Sequence, residues 1–243
     1  GALDIYHGVL RAVDTNGNII LDDVDYQDYD KYIEEEVRNW SYMKFPYLKH
    51  IGKEKGWYRV GPLARMNTCD FIPTPLAQKA FEEFKAYTKG QPNNMTLHYH
   101  WARLIEVLHA AEEIRNLLRD PDLQNEDLVV KGEKLNKGVG VIEAPRGTLF
   151  HHYDINDNDQ ISLANLIVST TNNNEPMNRA VNHTAKSFMN GQKEITEGMM
   201  NAVEVAIRAY DPCLSCATHA LGQMPLEMKL VDSNDNIISH KTK

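Results

Sequence analysis

The chain has 243 residues, 42% of them hydrophobic, and carries 34 acidic against 26 basic side chains for a net charge of −8. That length and apolar content suffice for one large or two small domains with a real core, while the acidic balance excludes a nucleic-acid backbone as partner, which demands clustered Lys and Arg. No apolar run reaches the length of a membrane span, no basic-plus-apolar signal opens the chain, and three cysteines, two of them in a Cys-x-x-Cys, point to a reducing compartment rather than a disulfide framework.

In chain order, Ile5 to Val24 reads as a hairpin around Asp14-Thr15-Asn16-Gly17-Asn18, residues that tolerate positive φ. Tyr26 to Trp40 has helical character, and Asn39 to Leu63, aromatic and punctuated by Gly and Pro, reads as an ordered loop. Thr74-Pro75 opens a helix with Thr74 as N-cap and Pro75 at the first helical position, reaching about Thr88. The longest helix is expected from about Asn94 to Arg119. Its apolar stripe is Leu97, Trp101, Leu104, Ile105, Leu108, Ala111 and Leu118, and Asp120-Pro121 ends it.

From Leu128 to Val168 the pattern changes to short β-rich runs: Leu128-Val130, Val139-Glu143, Thr148-Tyr153 and Gln160-Val168, with a turn at Asn156-Asp157-Asn158-Asp159. Asn174 to Met189 and Glu194 to Tyr210 read as helices separated by Asn190-Gly191. The tail alternates apolar and polar residues from Leu226 to Ile238 around Ser233-Asn234-Asp235-Asn236, a terminal hairpin with one face to bury. The expected class is α+β, with long helices packed together and a small antiparallel sheet region.

Chemistry is concentrated in Asp211-Pro212-Cys213-Leu214-Ser215-Cys216-Ala217-Thr218-His219. Cys-x-x-Cys brings two sulfurs within reach of one soft metal ion or one disulfide. A c-type haem would need His where Ala217 stands, and a thioredoxin-like pair would follow a first strand rather than an apolar helix near the chain end. A structural zinc site would need a fourth ligand beside Cys213, Cys216 and His219, such as Cys69 or a distant His, and an inert buried pair is the bland alternative. In Ala144-Pro145-Arg146-Gly147, Pro145 fixes its own φ and Gly147 frees the next residue, which suits one side chain presented at a tight bend. From those four residues alone, a salt-bridged surface turn is the simpler reading.

The nine-residue segment resembles the C-terminal signature of the catalytic large subunit of nickel-iron hydrogenases. The resemblance continues through Glu143-Ala144-Pro145-Arg146-Gly147-Thr148-Leu149, Val168-Ser169-Thr170-Thr171-Asn172 and Tyr58-Arg59-Val60-Gly61-Pro62-Leu63-Ala64-Arg65. It runs to about His219 and is similar to the cytoplasmic group that couples dihydrogen to deazaflavin, nicotinamide or heterodisulfide reduction. The resemblance implies heterolytic splitting of dihydrogen at a nickel-iron centre with CO and cyanide ligands, and electrons passed to an iron-sulfur small subunit. Cys213 and Cys216 would hold the metals. Arg146 would overhang the open coordination position, with Asp211 as its bidentate partner, and Arg146 or a metal-bound thiolate would accept the proton. Thr170 and the backbone from Ala144 to Arg146, in which Pro145 has no N–H of its own, would donate to the cyanides, and His219 would bind magnesium with a backbone carbonyl around Leu166.

Two departures qualify that resemblance. The family's Arg-x-Cys-Gly-x-Cys motif is absent, and Gly1-Ala2-Leu3-Asp4-Ile5 resembles a mid-subunit sequence, so the expectation is a C-terminal fragment, without bound cofactor or activity on its own. Its missing N-terminal part would be a partner, as would a maturation protease and nickel-insertion proteins. Residues 1–219 are expected to form the C-terminal part of the large subunit and 220–243 an extension removed on maturation, making this a precursor. Two other readings stand beside this one: a metal-free, quinone-binding relative from a respiratory complex, and a zinc-binding interaction module.

Three further sets of residues are read as structural. Cys69 lacks a nearby Cys or His partner and reads as a buried thiol. His98, His100 and His109 with Glu106, Glu112 and Glu113 crowd one helix, but no second Glu-x-x-His exists to complete a di-iron site. His151 and His152 alternate across one strand, so one is expected to face the buried site and the other outward.

Overall fold

The computed structural model describes residues 1–5, 7–218 and 225–243. In chain order the strands and helices are β1 (Leu10–Val13), β2 (Ile19–Val24), α1 (Tyr29–Tyr32), β3 (Ile33–Glu36), β4 (Phe45–Leu48), α2 (Pro62–Thr68), α3 (Pro75–Tyr87), α4 (His98–Leu117), β5 (Lys137–Ala144), β6 (Gly147–Ile155), β7 (Ile161–Ile167), α5 (Ser169–Asn172), α6 (Asn174–Met189), α7 (Glu197–Ala209), α8 (Leu214–Thr218), β8 (Glu227–Val231) and β9 (Ile237–Thr242). Among the described residues the strands form three two-stranded antiparallel ribbons and one three-stranded sheet of order β5-β6-β7. The mixture of helices with small antiparallel sheets agrees with the expected α+β class.

Three expected hairpins form for the expected reason. In each, an acidic or amide side chain folds back on the turn: Asp14 accepts from the N–H of Asn16 and Asn18, Asn156 from Asn158 and Gln160, and Asp232 from Asn234 and Asn236. The helical character expected from Tyr26 to Trp40 holds only as far as Tyr32. A 3-10 turn at Tyr26–Asp28 runs into α1, which gives way to β3, and β3 pairs in register with β4 from Ile33 opposite Leu48 to Glu36 opposite Phe45. Tertiary packing overrides propensity here, because Ile33 and Leu48 both enter the apolar cluster of Tyr29, Phe150 and Ile167 beneath the three-stranded sheet. The expected loop from Asn39 to Leu63 therefore contains a strand and the start of α2. Leu128-Val130 is not a strand, and its three side chains are exposed.

The helices share a second core of Leu63, Met66, Phe81, Phe84, Tyr99, Ala102, Ile105, Met177, Ala209 and Tyr210. Thr74 does precede α3, but its hydroxyl bonds His109 at 2.9 Å instead of capping the helix. The first-turn N–H groups of Leu76 and Ala77 donate to the Glu112 carboxylate reaching across from α4. The apolar stripe expected on α4 is also displaced. The buried side is Tyr99, Ala102, Ile105, His109 and Glu112, while Leu97, Leu104 and Leu118 are more than half exposed.

The tail hairpin β8–β9 packs on α7 and the turn before it. Ser239 accepts from the N–H of Ile195, and the Lys243 ammonium reaches Asn201 and Glu204.

Candidate functional site

The strands β5 and β6 are joined by a two-residue turn, with Ala144 paired to Gly147 and Pro145-Arg146 at the tip. Gly147 has φ +135°, and a Cβ there would overlap the Val60 side chain and lie 2.9 Å from the Gly61 nitrogen. Gly61 has φ +95°, and a Cβ there would sit 2.9 Å from the Arg146 carbonyl oxygen. Two glycines thus let the backbone at 60–61 cross the Pro-Arg bend at a distance no side chain permits.

Buried polar groups lock that crossing. Asn173 accepts from the Val60 N–H at 3.0 Å and donates to the carbonyls of Val60 and Arg146. Asn172 donates to the Thr148 carbonyl at 2.8 Å and accepts from the Tyr58 hydroxyl, whose acidity burial suppresses. Ser169 donates to the Gly147 carbonyl at 2.7 Å. On the other side, the buried Arg65 guanidinium spans Glu106 at 2.6 and 2.7 Å, Glu143 at 2.5 Å and the Ala144 carbonyl at 3.1 Å. Burial alone would push the Arg65 pKa down, but Glu106 and Glu143 outweigh that and hold it raised. Glu143 is also bonded by the Thr148 hydroxyl.

The second arm of the site comes from α7. After Tyr210 the chain turns at Asp211 in the left-handed region, φ 50°, a conformation that a short polar side chain tolerates and that stops the helix. This turn redirects the backbone through Pro212 into Cys213 and the short helix α8. The Cys213 N–H donates to the Thr170 hydroxyl at 3.0 Å, which leaves that hydroxyl's own hydrogen for another acceptor. Cys213 and Cys216 are paired as a disulfide, their Cα atoms 5.4 Å apart.

The two arms face one open depression of about 560 Å3, lined by Ala144, Pro145, Arg146, Thr170, Cys213 and Cys216 together with Leu149, His151, Val168, Ser169 and Ser215. Six of the residues singled out in the sequence therefore meet. Asp211 joins them through Arg146: the guanidinium Nε donates to the Asp211 carbonyl at 2.7 Å and lies 3.4 Å from its carboxylate. The expected bidentate fork is not formed, because the Asp211 backbone oxygen occupies the nearer position on the same nitrogen. Leu166 stands in β7 opposite His151, whose ring lines the depression. His219, and with it the expected cleavage boundary before Ala220, lies outside the described residues.

His151 and His152 do point opposite ways, but neither is the outward one expected: His151 faces the depression and contacts the Tyr153 hydroxyl, while His152 is buried against Tyr29 at 3.1 Å, because the other side of β6 packs on the core. Cys69 lies in the helical core, its thiol pushed up to about 11 by burial, and does not line the depression. Glu106 and His109 are engaged by Arg65 and Thr74. Among the described residues no three His, Cys, Asp or Glu side chains converge as for a metal ion.

Arg65, Asn172, Asn173 and His151 carry or line the site without having been read as functional. Arg65 and Asn172 lie inside segments already marked by resemblance, which was the available signal. Nothing in the sequence announced Asn173.

The depression suits a soft metal group. Its donors are sulfurs, its rim carries a guanidinium, and a hydroxyl and a tight turn lie beside them, a set matched to thiolate-preferring transition metals rather than to calcium or magnesium. Two sulfurs supply half of a four-thiolate shell, and they must be reduced to act as ligands.

Comparison with known proteins gives the same direction. Residues 8–219 match the family model described as nickel-dependent hydrogenase. The NAD-reducing hydrogenase HoxS subunit beta of Cupriavidus necator is 56% identical over 244 residues, covering 99% of this chain and 50% of that protein. An F420-non-reducing hydrogenase iron-sulfur subunit of Archaeoglobus profundus is 43% identical over 248 residues, with 98% and 50% covered. A crystal structure of an NAD+-reducing NiFe hydrogenase in its H2-reduced state superposes with a TM-score of 0.86 at 53% identity, over 90% of this chain and 48% of that one. The chain spans about half the length of the curated relatives it matches.

Proposed function

The chain belongs to the nickel-dependent hydrogenase family, and from that premise we propose that residues 1–219 are the metal-binding C-terminal part of a catalytic large subunit that oxidises or produces dihydrogen. The observation that carries this reading is the meeting of Cys213, Cys216, Arg146 and Thr170 around one depression. A nickel-iron centre with CO and cyanide ligands, when bound there, supplies Lewis-acidic metals on which dihydrogen is polarised for heterolytic cleavage.

The chain's own groups take up the rest. Reduced Cys213 and Cys216 are the thiolate ligands. The Arg146 cation, held through Nε by Asp211, lines the depression, where its charge would polarise dihydrogen and steady the departing proton while a thiolate sulfur of Cys213 or Cys216 accepts it. The Thr170 hydroxyl and the Ala144-Pro145-Arg146 backbone offer hydrogen bonds to anionic ligands of the iron. Leu166 would offer a backbone carbonyl, and His219 an imidazole, to a magnesium ion.

Electrons leave through an iron-sulfur small subunit, and the 56% identity to a nicotinamide-reducing relative favours NAD as the final acceptor. Residues 220–243 form an extension removed by a maturation protease after nickel-insertion proteins have acted. The setting is the cytoplasm, and among the described residues no helix is long and apolar enough to cross a membrane.

The test is metal analysis and viologen-linked dihydrogen uptake. The isolated chain is expected to hold no nickel-iron centre and to be inactive, since two thiolates cannot replace four. Activity and stoichiometric nickel with iron are expected when the remaining half of a large subunit is supplied. Full metal loading of the isolated chain would overturn the fragment reading. Once the metals are loaded, Arg146→Lys is expected to lower turnover about a hundredfold with metal content intact. Retained turnover would remove Arg146 from the chemistry.

A further inference from the structure

On the side of β6 away from the depression, a tyrosine, a histidine and an aspartate form a chain that the dihydrogen chemistry does not use. Tyr29 is 2% exposed and His152 7%. The Tyr29 hydroxyl accepts from the Asn165 amide at 3.0 Å and lies 3.1 Å from His152 Nδ1. Since Asn165 supplies the hydrogen on one side, the phenol's own hydrogen goes to Nδ1, and the neutral ring carries its N–H on Nε2. That Nε2 stands 3.5 Å from Asp154 Oδ1, and both atoms are buried with no hydrogen-bond partner among the described residues.

Buried polar atoms left unpaired are rare and need a reason. A second proton on the ring supplies one, because an imidazolium would turn the idle approach of Nε2 to Asp154 into an ion pair. The proton for it is already at hand on the phenol. Burial, with the charges of Asp30, Glu35 and Asp154, holds the Tyr29 pKa above the ordinary phenol value against the Asn165 hydrogen bond, so a phenolate is disfavoured here. The same negative charges favour removal of an electron, and a phenol that has lost an electron sheds its proton to a base in contact with it. Losing both together leaves the buried oxygen uncharged.

The other buried tyrosines among the described residues lack such a base. Tyr99 and Tyr210 donate to the carbonyls of Val60 and Pro176, which do not take up a proton. Tyr153 meets His151 at 3.1 Å, but among the described residues no carboxylate forms an ion pair with that ring.

We propose that Tyr29 is a redox-active tyrosine, oxidised by one electron with transfer of its proton to His152. In that step the phenolic O–H bond breaks, the electron leaves to an outer-sphere one-electron oxidant, and the proton bonds to Nδ1. The imidazolium so formed closes on Asp154 through Nε2, and re-reduction returns the proton to the oxygen. Because His151 and His152 alternate on β6, one strand separates the phenol from the depression. An oxidising equivalent that settles on Tyr29 is thereby held away from the sulfurs of Cys213 and Cys216, with or without a metal centre beside them.

The test oxidises the full chain with photogenerated tris(bipyridyl)ruthenium(III), a pentaammine cobalt(III) salt taking the first electron, and freezes it for electron paramagnetic resonance. The expected spectrum is that of one neutral tyrosyl radical, coupled to the ring nitrogen of isotope-labelled histidine and, in heavy water, to an exchangeable deuteron. Tyr29→Phe is expected to lower the radical yield at least about tenfold, and so is His152→Asn, whose amide can accept the phenol's hydrogen bond but not its proton. Tyr153→Phe leaves the yield unchanged. Melting curves establish which variants fold, and if neither Tyr29→Phe nor His152→Asn does, the histidine coupling of the wild type decides alone. A radical that survives Tyr29→Phe, full yield in His152→Asn, a radical without histidine coupling, a tryptophan radical in its place, or no radical at all overturns the proposal.

Discussion

The bend that presents Arg146 and the turn that presents Cys213 and Cys216 face the same depression, but they are held by unequal amounts of structure. The bend is gripped from both sides, by Arg65 with its two carboxylates and by the buried amides of Asn172 and Asn173, and its backbone is pressed against Gly61. Among the described residues, the cysteine turn is joined to α5 and to the bend by the hydrogen bond from Cys213 to Thr170 and by the Arg146–Asp211 contact. Preorganisation is therefore concentrated in the backbone of the bend. The Arg146 guanidinium is tied to the cysteine arm through Asp211, so a shift of that arm as its sulfurs change partner would be felt by the cation but not by the bend's backbone.

Substitutions can break that contrast or sharpen it. The largest effect is expected from Arg65→Met, which strands two partly buried carboxylates and frees the Ala144 carbonyl. It should cost about 3–5 kcal/mol, read as a fall of about 10 °C in melting temperature for a chain this size. Gly147→Ala comes next. It places a Cβ into Val60 and asks alanine for a φ that L side chains rarely adopt, costing about 3 kcal/mol in chemical denaturation. A melting point unchanged by either would show the bend to be no more firmly held than the cysteine turn.

Thr170→Val tests the lighter arm. It removes the acceptor for the Cys213 N–H at a cost of about 1 kcal/mol or less. Amide exchange over residues 211–217 is expected to quicken about fivefold while the global melt moves by no more than about 3 °C. A global loss equal to that of Arg65→Met would erase the distinction between the two arms.

The smallest effect is a pH dependence remote from both. Burial raises the Glu112 carboxyl, but the N–H groups of Ala77 and Leu76, the Thr74 hydroxyl and Arg115 outweigh it, so its pKa stands below the ordinary 4.5. A depressed pKa means that its contribution is complete above that ordinary value and is lost as pH falls through the folded one. The stability gap between wild type and Glu112→Gln should therefore be open at neutral pH and close on acidification, as urea midpoints at both pH values would show. A gap that persists in acid would mean that the charge plays no part in capping α3.

What was legible in the sequence follows the same division between local and distant causes. The three hairpin turns announced themselves because Asp14, Asn156 and Asp232 bond to backbone only two to four residues away. Pro75 at the start of α3 and the Asn190-Gly191 break before α7 were equally local signals. Glu34, Glu35 and Glu36 favour helix by themselves, and only pairing with Phe45–Leu48 makes them a strand. The α4 stripe was misread because leucines mark both its sides and the more apolar one faces outward. At the site, the chemical groups were visible from motif spacing and resemblance, whereas their supports were not: Arg65 meets Glu143 across 78 residues and Asn173 meets Val60 across 113. No window of sequence contains both halves of such a bond.

Those same separations order events in time. A turn closed by residues 58–61, 144–148 and 169–173 has no local version to form first, and each long closure costs chain entropy before any contact repays it. The hairpins can zip early, but the Arg146 bend waits until most of the chain has collapsed around it. On a ribosome the residues after 173, including both cysteines, follow the last of these clamps out. The backbone of the bend can thus be clamped before the sulfurs arrive, whereas the helical core still waits for Met177, Ala209 and Tyr210, and the Arg146 side chain meets Asp211 only when the cysteine turn itself is in place.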